Sequence, residues 1–359
     1  MNAARTTILD NKEKIIVVLC LVATIAAGVL HYAHANAVIA FVVTAAALGL
    51  LAVIVGDVTE QLGSRMGPGA TGILQSSLGN LPELFVCIFA LRAGLVGLVQ
   101  AALIGSILGN SLLVFGIAIL FGGIRNGTQK FAREAPKMIA TLMILAVAAL
   151  MIPTLAKELH TPAGDHLNAL DAVCAGVLLI LLAANTYFAI KGDPAVTVSS
   201  EDIGAPEWST GLAIGALAFA GLGAAFVSDW FVDSLQPVMT KLGLSEAFTG
   251  LVVVAIAGNS IENLVGIQFA WRNQMNYAVS IMLNSSLQVA LGLIPVLVLI
   301  SFLMGGTVLT LVLPPLLLAA LALAAIVNAF IVYDGESIWL EGLALVGLYS
   351  IIAAAFWWG

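Results

Sequence analysis

Two acidic residues in apolar surroundings are the side chains of this sequence best suited to chemistry. The segments Gly79–Glu83 and Gly258–Glu262 both read Gly-Asn-x-x-Glu, and their glutamates, Glu83 and Glu262, are 179 positions apart. Each motif lies in a long apolar stretch, and an acid at the centre of a membrane helix costs about 2.5–3.5 kcal/mol. A bound cation that exchanges with protons would offset this cost. The pattern therefore predicts a cation site inside a membrane.

The ligand types in the two motifs favour a hard cation. Ca²⁺ takes about six to eight oxygen ligands, which carboxylates, amides, backbone carbonyls and water supply. Besides the two glutamates, the motifs offer the amides of Asn80 and Asn259, although such amides also bind neighbouring helices. The motifs hold no thiolate or imidazole, which argues against zinc and copper. Because Ca²⁺ and protons can each neutralise the carboxylates, they would compete for one site, and alternating access to that site is antiport.

The composition indicates an integral membrane protein. Of 359 residues 61% are hydrophobic and 9% are charged, and the mean hydropathy is +1.09, far from the values of soluble domains. Cys20, Cys87 and Cys174 all lie in apolar runs, so we expect neither a disulfide framework nor a metal–thiolate site. We expect no enzyme, no catalytic residues and no resident cofactor, because the ions would be transported.

The elements that must position the two motifs are transmembrane helices, so we predict an all-α polytopic membrane protein. A spanning helix needs about 20 mostly apolar residues. Cutting the chain at its polar and Gly/Pro-rich junctions gives eleven candidate spans: 15–30, 37–56, 71–91, 95–121, 136–152, 167–190, 210–228, 247–270, 276–302, 307–332 and 338–357.

Basic residues predict the orientation of these helices. Positively charged residues favour cytoplasmic loops, and the loop 122–137 and the N-terminal flank hold most of them: Arg5, Lys12, Lys14, Arg125, Lys130, Arg133 and Lys137. With eleven spans, the N-terminus and the linker 191–209 would be cytoplasmic and the C-terminus outside. We expect the inner (plasma) membrane of a prokaryote.

An internal repeat predicts the architecture. The similar segments Phe89–Arg92 and Phe269–Arg272 follow the two motifs, and Ser106 and Ser285 are again 179 positions apart. This indicates an N-terminal helix and flank (1–36), a first five-helix repeat (37–190), an acidic linker (191–209) and a second five-helix repeat (210–359). Five spans per repeat make the second repeat inverted, and inverted repeats are common in transporters that bind substrate at the midplane.

Further polar residues follow each glutamate in the apolar sequence. Small polar residues at helix crossings serve packing as often as an ion pathway, so the role of these residues stays open. They are Ser106, Asn110, Ser285, Ser286 and Gln288.

Several linked motifs resemble those of the cation/proton exchangers of the cation/Ca²⁺ exchanger superfamily, from about residue 45 onwards. They are Gly56-Asp57-x-Thr59-Glu60-Gln61-Leu62, Gly79-Asn80-x-x-Glu83-Leu84 with Phe89-Ala90-Leu91-Arg92, Gly105-Ser106-Ile107-Leu108, and Asp334-Gly335-Glu336-Ser337-x-Trp339-Leu340-Glu341-Gly342. The resemblance implies Ca²⁺/H⁺ antiport, with Glu83 and Glu262 as central acids and with Asn80, Asn259 and Gln288 near the pathway.

The sequence departs from the family pattern at three places. Asn263 follows Glu262 where the family usually has His, Asn284 stands where it usually has Gly, and Ser228-Asp229 replaces Ser-Glu. An amide cannot change charge as an imidazole does near neutral pH. We therefore expect Asn263 to affect the pH dependence or the coupling of transport.

Other functions remain open from the sequence. One is a Na⁺/Ca²⁺ exchanger or a Na⁺(K⁺)/H⁺ antiporter on the same scaffold, although the segment 284–288 lacks the extra acid that a Na⁺/Ca²⁺ exchanger usually has. Another is a cation channel or a membrane scaffold that transports nothing. The sequence leaves open Ca²⁺ against Mn²⁺, Na⁺ or K⁺, and the oligomeric state. Membrane lipid is an expected partner and nucleic acid is not.

Overall fold

The computed structural model describes residues 11–66, 78–191 and 208–357, and these residues are mostly helical. The α-helices are α1 (Asn11–Tyr32), α2 (Ala37–Met66), α3 (Leu81–Arg92), α4 (Val96–Leu108), α5 (Phe115–Asn126), α6 (Glu134–Glu158), α7 (Leu167–Lys191), α8 (Thr210–Leu242), α9 (Glu246–Phe248), α10 (Ala255–Trp271), α11 (Met275–Gln288), α12 (Ile294–Leu303), α13 (Pro315–Ile331) and α14 (Trp339–Trp357). Two short strands are β1 (Gln129–Lys130) and β2 (Glu336–Ser337).

Three π-helical segments interrupt the helices of the described residues. The first joins α4 to α5, the second joins α9 to α10, and the third joins α11 to α12: Gly109–Val114, Thr249–Val254 and Val289–Leu293. Helical structure continues through each π segment. We call the continuous helical segment Val96–Asn126 the first rod and Met275–Leu303 the second rod.

Eight of the described helices are long and apolar enough to cross a membrane. They are Glu13–Tyr32, Ala37–Thr59, Val96–Asn126, Glu134–Glu158, Pro162–Phe188, Thr210–Leu242, Met275–Leu303 and Trp339–Trp357. Glu246–Gly258 and Pro315–Ile331 are shorter apolar helices, and the expected span 71–91 lies partly outside the described residues. The protein is polytopic, while the count of eleven spans stays a prediction.

The chain forms two compact units. The first comprises Met1–Phe89, Thr186–Lys191 and Ser199–Gly243, and the second comprises Ala90–Asn185, Gly192–Val198 and Leu244–Gly359. The predicted boundaries of the two repeats and of the linker remain predictions, because the sequence repeats and the compact units divide the chain in different ways.

In the first unit, α2 packs along α8, and α1 packs on both. The rings of Phe41 and Phe231 stack at 5.2 Å between α2 and α8. Gly28 of α1 lies against the Trp230 ring, so that a Cβ there would approach the ring to 3.0 Å. Small residues thus allow α1 to lie close to α8, as is common between membrane helices.

Residues at its two ends fix the position of α8. Ser209 caps the helix, because its hydroxyl accepts the amide of Leu212 at 3.2 Å, and Gly243 ends it in the left-handed conformation with φ 66°. Just before the cap, Trp208 is buried, and its indole donates to Glu13 at 3.1 Å while its backbone amide donates to Gln61 at 3.2 Å. The chain that enters α8 is therefore held to α1 and α2.

In the second unit, glycines allow α4 to cross the second π segment with the backbones in contact. A Cβ at Gly105 would overlap the backbone of Leu251, and a Cβ at Gly250 would overlap the backbone carbonyl of Leu98. Such close crossings give van der Waals contact where lipid provides no hydrophobic drive for helix association.

The two strands join distant loops of the second unit. β1 and β2 pair antiparallel, with Gln129 opposite Ser337 and Lys130 opposite Glu336. The Lys130 Nζ lies 2.8 Å from Glu336, and this hydrogen bond and the opposite charge raise the pKa of Lys130 above its ordinary value. The Gln129 side chain donates to the carbonyl of Ala270 at 2.8 Å. The ends of α5, α10 and α14 are thereby connected.

The expected helix 307–332 begins later than predicted, at Pro315. The residues between Leu303 and Pro315 are non-helical from 304 onwards, and Pro314 and Pro315 explain the boundary, because a proline has no amide hydrogen and disfavours helix in the residue before it. Pro315 instead occupies the first turn, where its missing amide hydrogen costs nothing.

Side chains of three helices satisfy the buried backbone of this extended segment. Gln100 donates to the carbonyls of Thr310 and Val312 at 2.8 and 3.0 Å, and Thr154 accepts the amide of Leu313 at 2.9 Å. Asp171 accepts the amide of Leu311 at 3.3 Å. Irregular backbone at membrane depth is tolerated only where it is satisfied inside the protein, so these polar side chains make the extended segment possible.

Candidate functional site

The first Gly-Asn-x-x-Glu motif lies at a helix start. Gly79 and Asn80 form a turn, α3 begins at Leu81, and the Asn80 carbonyl accepts the amide of Leu84 at 2.9 Å. Pro82 is the second residue of α3, so its missing amide hydrogen costs little and it does not kink a helix interior. Glu83 lies in the first turn, where helix amides favour an anion.

Glu83 is deeply buried in the first unit. Its exposed fraction is 4%, whereas Asn80 is half-buried. A carboxylate without water around it requires compensation by protons, a cation or hydrogen bonds. The prediction of a buried acid at this position is consistent with the geometry, and the predicted ion contacts of Glu83 and Asn80 remain predictions.

The second motif has a different local structure. Gly258, Asn259 and Glu262 lie in the interior of α10, and the irregular backbone precedes them, in the second π segment. The side chains of residues 259–263, including that of Asn263, lie outside those that the structure describes. The backbone at Gly258-Asn259 is α-helical, and the nearest preceding deviation from α-helical hydrogen bonding lies at Thr249–Val254.

The two acids belong to different compact units, Glu83 to the first and Glu262 to the second. Their joint site stays a prediction. Among the described residues, no three His, Cys, Asp or Glu side chains lie close enough together to hold a metal ion. The predicted site contains only two such residues, and its other ligands are amide oxygens.

The polar residues that follow the motifs do meet within the second unit. Asn110 donates from its amide to the Ser285 hydroxyl at 3.0 Å, and both residues are buried. Ser286 donates to the carbonyl of Met282 at 3.0 Å and approaches the carbonyl of Ile107 at 3.4 Å. The first and second rods are thus joined by hydrogen bonds.

Ser106 and Gln288 border this polar crossing. Ser106 is buried and Gln288 is half-buried, and Asn284, one turn before Gln288, donates to the carbonyl of Ser280 at 2.9 Å. The hydrogen bonds at the crossing are consistent with a role of these polar residues in helix packing. A role of the same residues in the ion pathway remains a prediction.

Two π segments begin directly at the polar crossing. They start at Gly109 and Val289, 180 positions apart, so they occupy corresponding places in the two halves of the sequence. A π segment leaves the α-helical hydrogen-bond pattern and often marks a functional site. These segments are not recognisable in the sequence, because residues such as Leu112 and Leu291 give no local signal that distinguishes a π-helix from an α-helix.

Several buried polar residues outside the predicted site were not recognised from the sequence. Four examples come from apolar helical stretches, where a buried polar residue usually has a functional or structural cause. They are Gln100, Ser111, Asp171 and Asn328.

Known proteins resemble this chain over nearly all of its length. Residues 36–191 and 212–358 match the model of the family described as sodium/calcium exchanger protein. The Ca(2+)/H(+) antiporter of Aphanothece halophytica is 32% identical over 348 residues, which are 91% of this chain and 92% of that relative. The Ca(2+)/H(+) antiporter ChaA of Bacillus subtilis (strain 168) is 34% identical over 332 residues, covering 90% and 93%.

Solved structures agree with these relatives. The structure of native YfkE has a TM-score of 0.81 and 30% identity, and the match covers 96% of this chain and 100% of that one. A crystal structure described as the H+/Ca2+ exchanger CAX has a TM-score of 0.76 at 17% identity, covering 96% and 92%, which supports the fold alone. With the family model matched on both sides of the linker, this chain belongs to the sodium/calcium exchanger protein family.

Proposed function

We propose that this protein is a secondary active antiporter that exchanges cytoplasmic Ca²⁺ for protons. The observation that carries the proposal is the similarity to proteins named Ca(2+)/H(+) antiporter over at least nine tenths of this chain, at 32–34% identity. Transport rather than catalysis also fits an apolar helical protein whose first motif holds a buried acid. Ca²⁺ and protons are then substrates, not cofactors.

In the proposed mechanism, Glu83 and Glu262 meet at the membrane midplane, and Asn80 and Asn259 add amide oxygens. One Ca²⁺ or two protons would neutralise the two carboxylates, whereas the empty site would hold two bare charges in a poorly solvated place. The transporter would therefore reorient when loaded and resist reorientation when empty. That difference couples the two ion fluxes.

The proposed architecture is two inverted five-helix repeats after an N-terminal helix. Support comes from the first and third π segments, which occupy corresponding positions of the two halves, and from the two matched parts of the family model. The N-terminus would be cytoplasmic and the C-terminus outside, by the distribution of basic residues.

Flux in proteoliposomes tests the proposal. We expect vesicles holding the purified protein, acidic inside, to take up ⁴⁵Ca²⁺ against its gradient, and we expect nigericin with K⁺ to abolish this uptake by collapsing the proton gradient. Protein-free vesicles are the control. Uptake driven by an internal Na⁺ load at equal pH on both sides would instead assign the alternative function, Na⁺/Ca²⁺ exchange. Passive Ca²⁺ flux insensitive to either gradient would indicate a channel.

A further inference from the structure

A small cavity lies in the second unit beside the polar crossing of the two rods. Its volume is about 20 Å³, and its walls come from the first rod, from α6, from α11 and from α13. Three polar residues line it, Ser111, Ser286 and Asn328, and the rest of the lining is apolar, including Met143. All three polar residues are at least 96% buried.

The hydroxyl hydrogens of the two serines already take part in hydrogen bonds, so their oxygens can act only as acceptors towards the cavity. The Ser111 hydroxyl donates to the carbonyl of Ile107 at 2.6 Å, and the Ser286 hydroxyl donates to the carbonyl of Met282 at 3.0 Å. A serine has one hydroxyl hydrogen, so each of these oxygens offers only lone pairs to the cavity.

Asn328 adds the third acceptor. Its amide nitrogen donates to the carbonyl of Ala324 at 2.7 Å, while its buried Oδ1 accepts no hydrogen bond from any residue that the structure describes. A buried carbonyl oxygen without a donor costs roughly 1–3 kcal/mol. The cavity therefore holds three neutral oxygens that can accept hydrogen bonds.

We propose that this cavity binds one ordered water molecule. A cavity of about 10–15 Å³ is large enough for one water molecule. Water occupies such a cavity where two to four polar groups can form hydrogen bonds with it. Water brings two donor hydrogens, one for Asn328 Oδ1 and one for a serine oxygen. A metal cation fits less well, because no carboxylate lines the cavity and an unpaired charge in apolar surroundings is costly.

The bound water connects α13 to the two rods. Asn328 lies on α13, Ser111 lies in the first π segment, and Ser286 lies on α11. No hydrogen bond between side chains spans this contact among the described residues, so the water would supply the polar link. A water bridge can break and re-form as helices shift, unlike close-packed apolar contact.

X-ray radiolytic labelling of the detergent-solubilised full chain tests the proposal. Brief exposure makes hydroxyl radicals from waters where they are bound, and thioethers react readily. Met143 lines the cavity, whereas Met282, which is also buried, packs its side chain on Gly266. We expect Met143 to be oxidised on the order of tenfold faster than Met282 if a water is bound next to it. Equal rates in the unaltered protein would show a dry cavity and overturn the proposal.

The variant Asn328→Leu tests whether Asn328 holds the water. It removes the acceptor and fills space, so we expect oxidation of Met143 to fall to the rate of Met282. An unchanged Met143 rate in a monodisperse variant would contradict the assignment. If Asn328→Leu does not fold, Ser111→Ala replaces it, and a several-fold drop at Met143 is expected because one acceptor is lost. An unchanged rate there would also overturn the proposed site.

Discussion

Glu83 illustrates how one residue combines local structure with chemistry. It is 4% exposed, yet it lies in the first turn of α3, where the helix start favours negative charge. A helix beginning inside the apolar part of a protein thus makes a buried acid tolerable.

The central prediction at the residue scale concerns both acids. Glu83→Gln and Glu262→Gln should each abolish proton-driven ⁴⁵Ca²⁺ uptake in proteoliposomes, because each change removes a charge while keeping the side-chain volume. The elution profile in detergent should stay that of the unaltered protein. Substantial transport by either variant would contradict the proposed site.

Glu336→Gln is the matched control for these variants. Glu336 pairs with Lys130 outside the long helices, and both side chains are well exposed, so the pair contributes little to stability. We expect the control to retain proton-driven Ca²⁺ uptake. Complete loss of uptake would mean that the ion pathway runs through the paired strands rather than through the two motifs.

At the scale of elements, the extended segment before α13 depends on a few side chains. Leu309, Leu311 and Leu313 are buried, so their backbone groups cannot turn to water. Thr154 binds this segment twice, because its hydroxyl donates to the Leu311 carbonyl at 3.1 Å and accepts the Leu313 amide at 2.9 Å.

Thr154→Val should destabilise the protein by about 1–3 kcal/mol, since it leaves two buried backbone groups unpaired at nearly constant volume. Thr141→Val is the matched control on the same helix, because Thr141 is exposed and its hydroxyl bonds only within α6, to Lys137. The measurement is thermal unfolding in detergent, followed by loss of the monodisperse peak. Equal melting temperatures for the two variants would show that the segment is held by packing alone.

The sequence predicted some elements well and could not predict others. Long apolar runs locate α2, α6, α7 and α14, because about 20 apolar residues have few other stable structures. The π segments and the extended segment depend on tertiary contacts such as the Gln100 hydrogen bonds, which a local pattern does not encode. The repeat aligned Ser106 with Ser285 in the sequence, whereas the contact of Ser285 with Asn110 was not predicted.

At the scale of the whole molecule, the linker joins the two matched parts of the family model. Its acids, Glu201, Asp202 and Glu207, lie outside the described residues. Acids in a loop usually interact only with solvent, and three within seven positions are fewer ligands than a tight Ca²⁺ site requires. The linker is therefore expected to connect the halves without sensing Ca²⁺.

Replacing all three linker acids with Gln should leave the Ca²⁺ dependence of transport nearly unchanged. The measurement is the initial rate of ⁴⁵Ca²⁺ uptake over a range of Ca²⁺ concentrations, with the unaltered protein measured in parallel. A shift in half-saturation on the order of tenfold would reveal a regulatory site with more ligands than these three.

The paired strands have a consequence for how the chain is made. Ser337 is synthesised 208 positions after its partner Gln129, and at about 5–20 residues per second the ribosome needs roughly 10–40 s to reach it. Until then the amide and carbonyl groups of β1 have no strand to pair with. The loop after α5 therefore lacks its partner strand while the helices from α6 to α13 are synthesised, and the two strands can pair only after β2 has emerged.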